Sequence, residues 1–376
     1  MQALKGKQLV FAGAGLGTMS FLMHLLRSGM DLPERIVLID EDKKNRNDRT
    51  WCFWEREAGV FESIVSKQWH HLQFNSRYYN GSLEMQDYVY KMIRGIDLYK
   101  FFQEKIKAYP AVEWIHATVR SITATEAGDV KVSLADGTLL DYKNAIAFNN
   151  IPPKASNEKG DIHLLQHFKG WTIETPAPCF DPTKATLMDF RISQEHGTSF
   201  VYVMPLTATK ALVEFTLFTE NILEDAEYNK WLQQYCEKVL LLNHFVIADQ
   251  EFGVIPMSNQ SFPMQVNRVW QLGAAGGAIK ASSGYTFQFV QKQAAQLIGI
   301  FRSGQFPPRS FLYLLKKRLL DGDKVFARLF EKNTAAKVFS FLDNETSLKD
   351  ELPILWSLPT WPFLKSALAK RPTPKG

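Results

Sequence analysis

The chain has 376 residues, 45% hydrophobic, 22% charged and 13% aromatic, a length that suggests two or three domains at about 150 residues each. Such a chain can bury a large core, which excludes disorder and a collagen repeat, and its three cysteines, Cys52, Cys179 and Cys236, without a C-x-x-C pair, fit neither a disulfide framework nor a zinc knuckle and point to a reducing, intracellular compartment. The net charge of +5 is unevenly spread: residues 301–376 carry 14 Lys and Arg against 7 Asp and Glu, and the first 300 residues carry 30 against 32.

Residues 8–26 lack Asp, Glu, Lys and Arg and follow Lys5 and Lys7, the outline of a signal peptide or short span. Gly13, Gly15 and Gly17 interrupt the run, His24 lies near its end, and an apolar stretch follows at 35–39. The pattern instead predicts a strand over 9–12, a glycine turn, a helix from about Thr18 to Ser28 stopped by Gly29, and a strand over 35–39. No other stretch approaches the ~18 apolar residues of a span, so a cytoplasmic protein that meets membranes only at their surface is expected.

The turn Gly13-Ala14-Gly15-Leu16-Gly17-Thr18 follows a strand and opens a helix, and Asp40 ends the second strand 27 positions after Gly13. Glycines there let backbone approach a pyrophosphate at the positive helix N-terminus, and a strand-end acid accepts hydrogen bonds from an adenosine ribose. Thr18 replaces the third glycine of G-x-G-x-x-G, which is expected to loosen helix-to-strand packing. Asp42 is the competing acid, but Asp40 directly ends the apolar run.

Residues 112–149 read as a β-meander of the kind dinucleotide enzymes insert, and the polar IPPKASNEKGD stretch at 151–161 reads as a linker. From about 166 to 251 strands are expected at TLMDF, SFVYVMPL and ALVEFTLF, with one helix over about 227–242. A short strand at 269–272 then feeds the glycine-rich GAAGGAIKASSGYTF and a helix over about 285–301. Residues 310–370 read as helical: FLYLLKKRLLDG, DKVFARLFEK and SLPTWPFLKSALAKR. His163 and His167 share an i, i+4 spacing without a third ligand, so they read as surface or core histidines and no metal is expected.

Eleven aromatics are interleaved with the basic residues of the last fifth. Lys316-Lys317-Arg318 adjoins FLYLL, and Trp356, Trp361 and Phe363 alternate with prolines before Lys365, Lys370 and Arg371. That mixture suits docking on acidic lipid; the alternative is a helical lid with a solvated basic face. No nucleic-acid-binding module accompanies it, so a nucleic-acid partner is not expected.

Several segments, in order, resemble the flavin-dependent lycopene cyclases, especially the bacterial β-cyclase branch. They are the glycine turn, NDRTWCFW at 47–54, KMIRG at 91–95, QHFKGW at 166–171, LMDFR at 187–191, VYVMP at 201–205, LVEFTLF at 212–218, GVIPM at 253–257, GAAGG at 273–277 and SGYTF at 283–287. The resemblance implies an α/β protein with a Rossmann-type FAD-binding domain of the aromatic-hydroxylase flavoprotein type (1–161 and 251–300), a β-sheet substrate domain (162–250) and a helical C-terminal cap (301–376). It implies an enzyme at the membrane surface that cyclises lycopene to β-carotene through γ-carotene, using reduced FAD without net redox change, with NAD(P)H as electron source. It also implies flavin contacts from Gly13, Ala14, Gly15, Leu16, Asp40, Arg49, Thr50, Trp51, Arg94, Gly273, Gly276, Gly277, Ser283 and Gly284. The Gly-Asp pair of the related hydroxylases is replaced by Gly273-Ala274-Ala275-Gly276, which favours a cyclase; the alternative is an FAD-dependent hydroxylase or prenyl reductase that consumes NADPH.

Protonating an isoprenoid alkene to a tertiary cation needs a carboxylic acid kept neutral by an apolar pocket. Glu214 is the candidate: alternation places it with Leu212, Thr216 and Phe218 on one strand face, with apolar residues on both faces. An exposed strand carboxylate is the alternative reading of the residues, and the family associates the glutamate of this L-V-E motif with acid catalysis. Trp51, Phe53 and Trp54 are candidates for flavin or pocket contact, or for core. Asp189 and Arg191 read as a structural ion pair or site lining, and Lys280 as a solvated lysine or a charge partner of reduced flavin.

Overall fold

Apolar runs that are buried on both faces make central parallel strands, and residues 9–12 and 36–39 are such runs. In the computed structural model, which describes residues 4–109, 111–152, 163–258, 260, 262–280, 283–306 and 323–358, they lie inside a six-stranded sheet. Its spatial order is Gln265–Val266, Val269–Gln271, Ala145–Asn149, Gln8–Ala12, Arg35–Ile39 and Val112–Ile115. Every neighbouring pair is parallel except the first. Helix Leu16–Arg27 connects the two central strands and packs against helix Phe287–Ser303. Gly29, at φ +68, ends the first helix as expected. Of the meander expected over 112–149, only Val119–Ala124, Val130–Leu134 and Leu139–Tyr142 form a separate three-stranded antiparallel sheet, whose Val130, Val132 and Leu134 share a core with Val10, Val37 and Ile39; its two ends, Val112–Ile115 and Ala145–Asn149, are strands of the parallel sheet instead.

A second sheet has seven strands in the order Val246–Ser258, His163–Glu174, Lys210–Thr219, Thr198–Pro205, Lys184–Asp189, His71–Asn75 and Asn80–Glu84. All neighbours are antiparallel except Lys184–Asp189 with His71–Asn75. This sheet therefore recruits strands from both sides of residues 162–250. The expected helix near 227–242 is Asp225–Lys238, which covers one face through Tyr228, Leu232 and Tyr235 against Trp171, Val213 and Phe215.

Between the two large sheets stands a small one of Thr50–Glu55, Val89–Arg94 and Lys67–Trp69. Strand alternation splits it: Phe53 and Ile93 belong to the parallel sheet's core, Trp54, Tyr90 and Met92 to that of the seven-stranded sheet. Three C-terminal helices, Asp323–Lys332, Ala335–Leu342 and Leu348–Ser357, close over the latter core by burying Phe326, Phe330, Val338, Phe339 and Leu342 beside Trp54, Phe74 and Phe190. The expected helix at 311–322, the Lys316-Lys317-Arg318 cluster, Trp361, Phe363 and the basic residues after them, and residues 153–161 of the expected linker lie outside the described residues. Among the described residues, no helix is long and apolar enough to cross a membrane.

Candidate active site

Three strands of the seven-stranded sheet bring two glutamates into one line. Glu214 on Lys210–Thr219 and Glu251 on Val246–Ser258 are both register partners of Gly170 on the strand between them. Tyr202 extends the row beyond Glu214. Directly opposed residues project from the same sheet face, so Glu251, Gly170, Glu214 and Tyr202 share one face. That face is the one carrying Leu212 and Phe218, whereas Val213, Phe215 and Leu217 point into the opposite core, so the expected alternation holds.

Backbones two strands apart are about 10 Å from each other, too far for most side chains to meet across an occupied middle strand. Gly170 leaves that middle position empty: a Cβ there would meet Glu251 Cγ at 3.0 Å and Glu251 Oε1 at 3.4 Å. The Glu251 side chain thus leans over the glycine towards Glu214. Thr50 Oγ1 donates to Glu251 Oε2 at 2.6 Å, and Thr216 Oγ1 donates to Glu214 Oε1 at 3.0 Å. Glu251 is 7% exposed and its Oε1 is buried without a donor.

Glu214 is half-buried by surface area, yet protein crowds it closely. Desolvation, reinforced by the Glu251 charge, pushes its carboxyl well above the ordinary range, against the Thr216 hydrogen bond. Burial also raises Glu251, opposed by the Thr50 hydroxyl. Cys52, Tyr90 and Tyr202 feel the same carboxyl, and burial holds each of them neutral, as it does Tyr285 beside them. The result is a protonated acid facing thiol and phenol groups in an aromatic interior.

The glycine turn forms a backbone cradle at the carboxyl ends of the parallel strands. Gly13 has φ +89, and Gly15 caps the following helix with no side-chain hydrogen bond to its first turn. The N–H groups of that turn, opened by Leu16, are left to a ligand, an arrangement suited to a pyrophosphate. Asp40 ends its strand as expected, with Oδ2 accepting the Ala14 N–H at 2.6 Å and Oδ1 the Asp42 N–H at 2.8 Å. Thr18 does not loosen the packing: it is fully buried and its hydroxyl donates to the Gly13 carbonyl at 2.6 Å. Close approach is carried by Gly17, where a Cβ would lie 2.6 Å from the Gly273 nitrogen.

Gly273, at φ +55, brings the second glycine loop against this turn. Gln293 clamps the loop, accepting from Gly273 N at 2.7 Å and donating to Gly276 O at 3.1 Å. Gly277 and Gly284 have positive φ. Asn150, oriented as its hydrogen bonds require, accepts from Gly15 N at 3.0 Å and donates to Leu272 O at 3.2 Å. Nearby segments hold Trp51 Nε1, Ser283 Oγ, Gln166 Oε1 and Tyr285 OH, all buried without partners among the described residues. An uncapped helix N-terminus and two apposed glycine loops, with unsatisfied polar atoms on neighbouring segments, are residues that would suit a dinucleotide such as FAD.

Three of the other residues expected at the flavin have protein partners: Thr50 bonds Glu251, Arg49 pairs with Asp48 at 2.7 Å, and the exposed Arg94 pairs with Asp97 at 2.6 Å. Trp54 is core, with Nε1 donating to Asp343 at 2.7 Å and its ring stacked on Phe339 at 4.4 Å; Phe53 stacks on Phe287 at 4.0 Å. Lys280 is not solvated: it is 5% exposed, bonds Asn344, and lies over the rings of Phe289 and Phe341. Arg191 and the fully buried Asp189 form the structural pair, joined by Tyr235. His167 is core, bonded to Thr219 and Tyr228 and pushed down to about 4 by burial; the side chain of His163 lies outside the described residues.

Sequence reasoning missed Glu251, Gly170 and Asn150. A glycine inside a strand marks a close approach, and Gly170 sits mid-strand in HFKGW, so that signal existed.

Known proteins agree with this architecture. A geranylgeranyl bacteriochlorophyll reductase-like protein from Thermoplasma acidophilum superposes with TM-score 0.62 at 12% identity, covering 97% of this chain and 99% of that one. Klebsiella pneumoniae HpxO, solved with FAD and uric acid, gives 0.57 at 14% over 97% and 95%, and a flavoprotein/dehydrogenase from Cytophaga hutchinsonii gives 0.59 at 10% over 90% and 92%. The fold is therefore that of the FAD-dependent oxygenases and reductases. In sequence, a lycopene beta-cyclase of Pantoea ananas is 23% identical over 226 residues, 58% of this chain and 54% of that protein, so the chain spans about half the length of this relative. The model of the lycopene cyclase protein family matches residues 8–305, and the chain belongs to that family.

Proposed function

We propose that the chain is a lycopene β-cyclase, converting linear lycopene through γ-carotene to β-carotene with no net redox change. The observation that carries this reading is Glu214, a carboxyl that burial keeps protonated in an aromatic interior. Glu214 is the general acid, delivering its carboxyl proton to the terminal alkene of the polyene. Tyr202, Tyr90 and Tyr285 line the space around it with uncharged rings whose π faces favour a developing carbocation over water. A ring proton of the cyclised cation then returns to the Glu214 carboxylate, so the acid is regenerated and the product is an isomer of the substrate.

In this reading, Gly13, Ala14, Gly15, Leu16 and Asp40 hold the adenosine and pyrophosphate of FAD, and Gly273, Gly276, Gly277, Ser283 and Gly284 border the flavin. Reduced flavin, when bound, supplies an electron-rich ring that stabilises positive charge. NAD(P)H is the electron source, and the substrates are drawn from a membrane surface.

Expression in lycopene-accumulating cells tests the reading. Ring products isomeric with lycopene support it, whereas products of altered mass favour the redox chemistry of the fold's reductases and oxygenases. Glu214→Gln is expected to keep the flavin spectrum and lose cyclisation by at least about 100-fold; retained activity removes Glu214 from the mechanism.

A further inference from the structure

We propose that Glu251 is the positioning residue of the acid, leaning across side-chain-free Gly170 so that it and Glu214 hold one proton between them. The proposal rests on the reading of Glu214 as the general acid. Its basis is the row itself: both glutamates oppose the same glycine from either side, and Glu251 Oε1 lies over the place a Cβ would take.

Two ionised carboxylates cannot share that row. Neither has a cation within ion-pair distance among the described residues, and like charges in a desolvated site repel strongly. Nor does Glu251 Oε1 have a donor when both are ionised. One proton removes the repulsion and supplies the missing donor. Its place is set by the geometry. Each glutamate accepts one threonine hydroxyl, but the Thr50 bond to Glu251 is the shorter, 2.6 Å against 3.0 Å from Thr216 to Glu214, and Glu251 Oε1 is the buried oxygen that lacks a donor, so Glu251 is the carboxylate and Glu214 holds the proton. The other titratable groups facing the pair are Cys52, Tyr90, Tyr202 and Tyr285, all neutral, with Asp48 and Asp249 acting on the Glu251 side. Glu251 therefore does two things for its neighbour: its charge keeps Glu214 protonated, and its oxygen fixes where the proton points. Such a pair titrates as a unit with two separated steps.

The test is Glu251→Gln, which keeps size and removes charge. Infrared difference titration follows the carbonyl band of the buried protonated carboxyl, assigned by its loss in Glu214→Gln, and needs no substrate. In Glu251→Gln the midpoint of that band is expected to fall by at least about one pH unit, and the basic limb of the kcat profile to fall with it. At pH values above both midpoints this is about a tenfold loss of kcat, with KM little changed. Gly170→Ala, which wedges the pair apart, is expected to shift both in the same direction. A midpoint and a limb that stay put in folded, flavin-bound Glu251→Gln overturn the proposal. Should that variant fail to bind flavin, titration of the wild-type band decides: two interacting steps support the pair and one independent step overturns it. If the wild type does not cyclise lycopene, the functional reading fails while the infrared result still tests the pair.

Discussion

Asp343 ties the C-terminal helices to the body, and its charge works against the fold. It is 4% exposed, accepts the Trp54 indole N–H at 2.7 Å, and burial pushes its carboxyl up from an ordinary 3.8 to about 7, against the nearby Lys292. A carboxyl raised on folding binds its proton more tightly in the native state, so its contribution is fully present below 3.8 and is lost as pH rises towards 7. At 1.36 kcal/mol per pH unit the loss reaches at most about 4 kcal/mol above pH 7. Asparagine removes the charge and keeps an oxygen for the indole. The stability of Asp343→Asn relative to wild type is therefore expected to rise by about 2–4 kcal/mol between pH 4 and pH 8. Urea unfolding of both proteins at pH 4, 6 and 8 measures this difference, in which titrating groups that do not interact with Asp343 cancel. A difference that is flat or falls with pH refutes the argument.

Two further substitutions test the frame around the site. Gly17→Ala would place a Cβ 2.4 Å from the Asn150 side-chain amide and 2.6 Å from the Gly273 nitrogen; despite better helix propensity it should cost about 1–3 kcal/mol and lower the flavin-to-protein absorbance ratio of the purified enzyme. Arg191→Met strips the guanidinium from the fully buried Asp189, which is left with Tyr235, Asn75 and a backbone N–H. Thermal and urea unfolding should show a loss of roughly 2–4 kcal/mol, against less than about 1 kcal/mol for breaking the exposed Arg35–Glu113 pair.

The parallel sheet was legible because its strands are buried on both faces and therefore read as unbroken apolar runs, with a glycine turn at the expected place. Glu214 was legible through its motif and its alternation. Glu251 was not: it lies 37 residues away in sequence, on a strand that does not pair with the Glu214 strand, and only the register of both against Gly170 aligns them. Alternation assigns a face but not a register, and a shift of one residue would turn Glu251 away. Lys280 was misread for a related reason. A lysine in a glycine-rich loop suggests solvent, but here Asn344 and Phe341 of the C-terminal helices close over it, contacts that local composition does not encode. Thr18 shows the opposite error, a departure from the glycine pattern whose hydroxyl finds a backbone carbonyl and whose role in close packing passes to Gly17.

The basic, aromatic character of the last fifth separates once the helices are located. Among the described residues, its aromatics Phe326, Phe330 and Phe339 are structural, buried in the core that contains Trp54 and Phe190. Residues 323–358 carry five Lys and Arg against six Asp and Glu, so these helices are nearly neutral. The positive charge lies on either side, with five against one in residues 301–322 and four against none in 359–376. The average over the whole segment suggested one amphipathic basic cap. The arrangement instead couples a neutral, core-forming helical bundle, bonded to the body through Trp54 and Asp343, to two flanking basic segments. Attraction to an anionic lipid surface, which falls off within a Debye length of it, would act on those flanks and would leave the packing over the glutamate row unchanged.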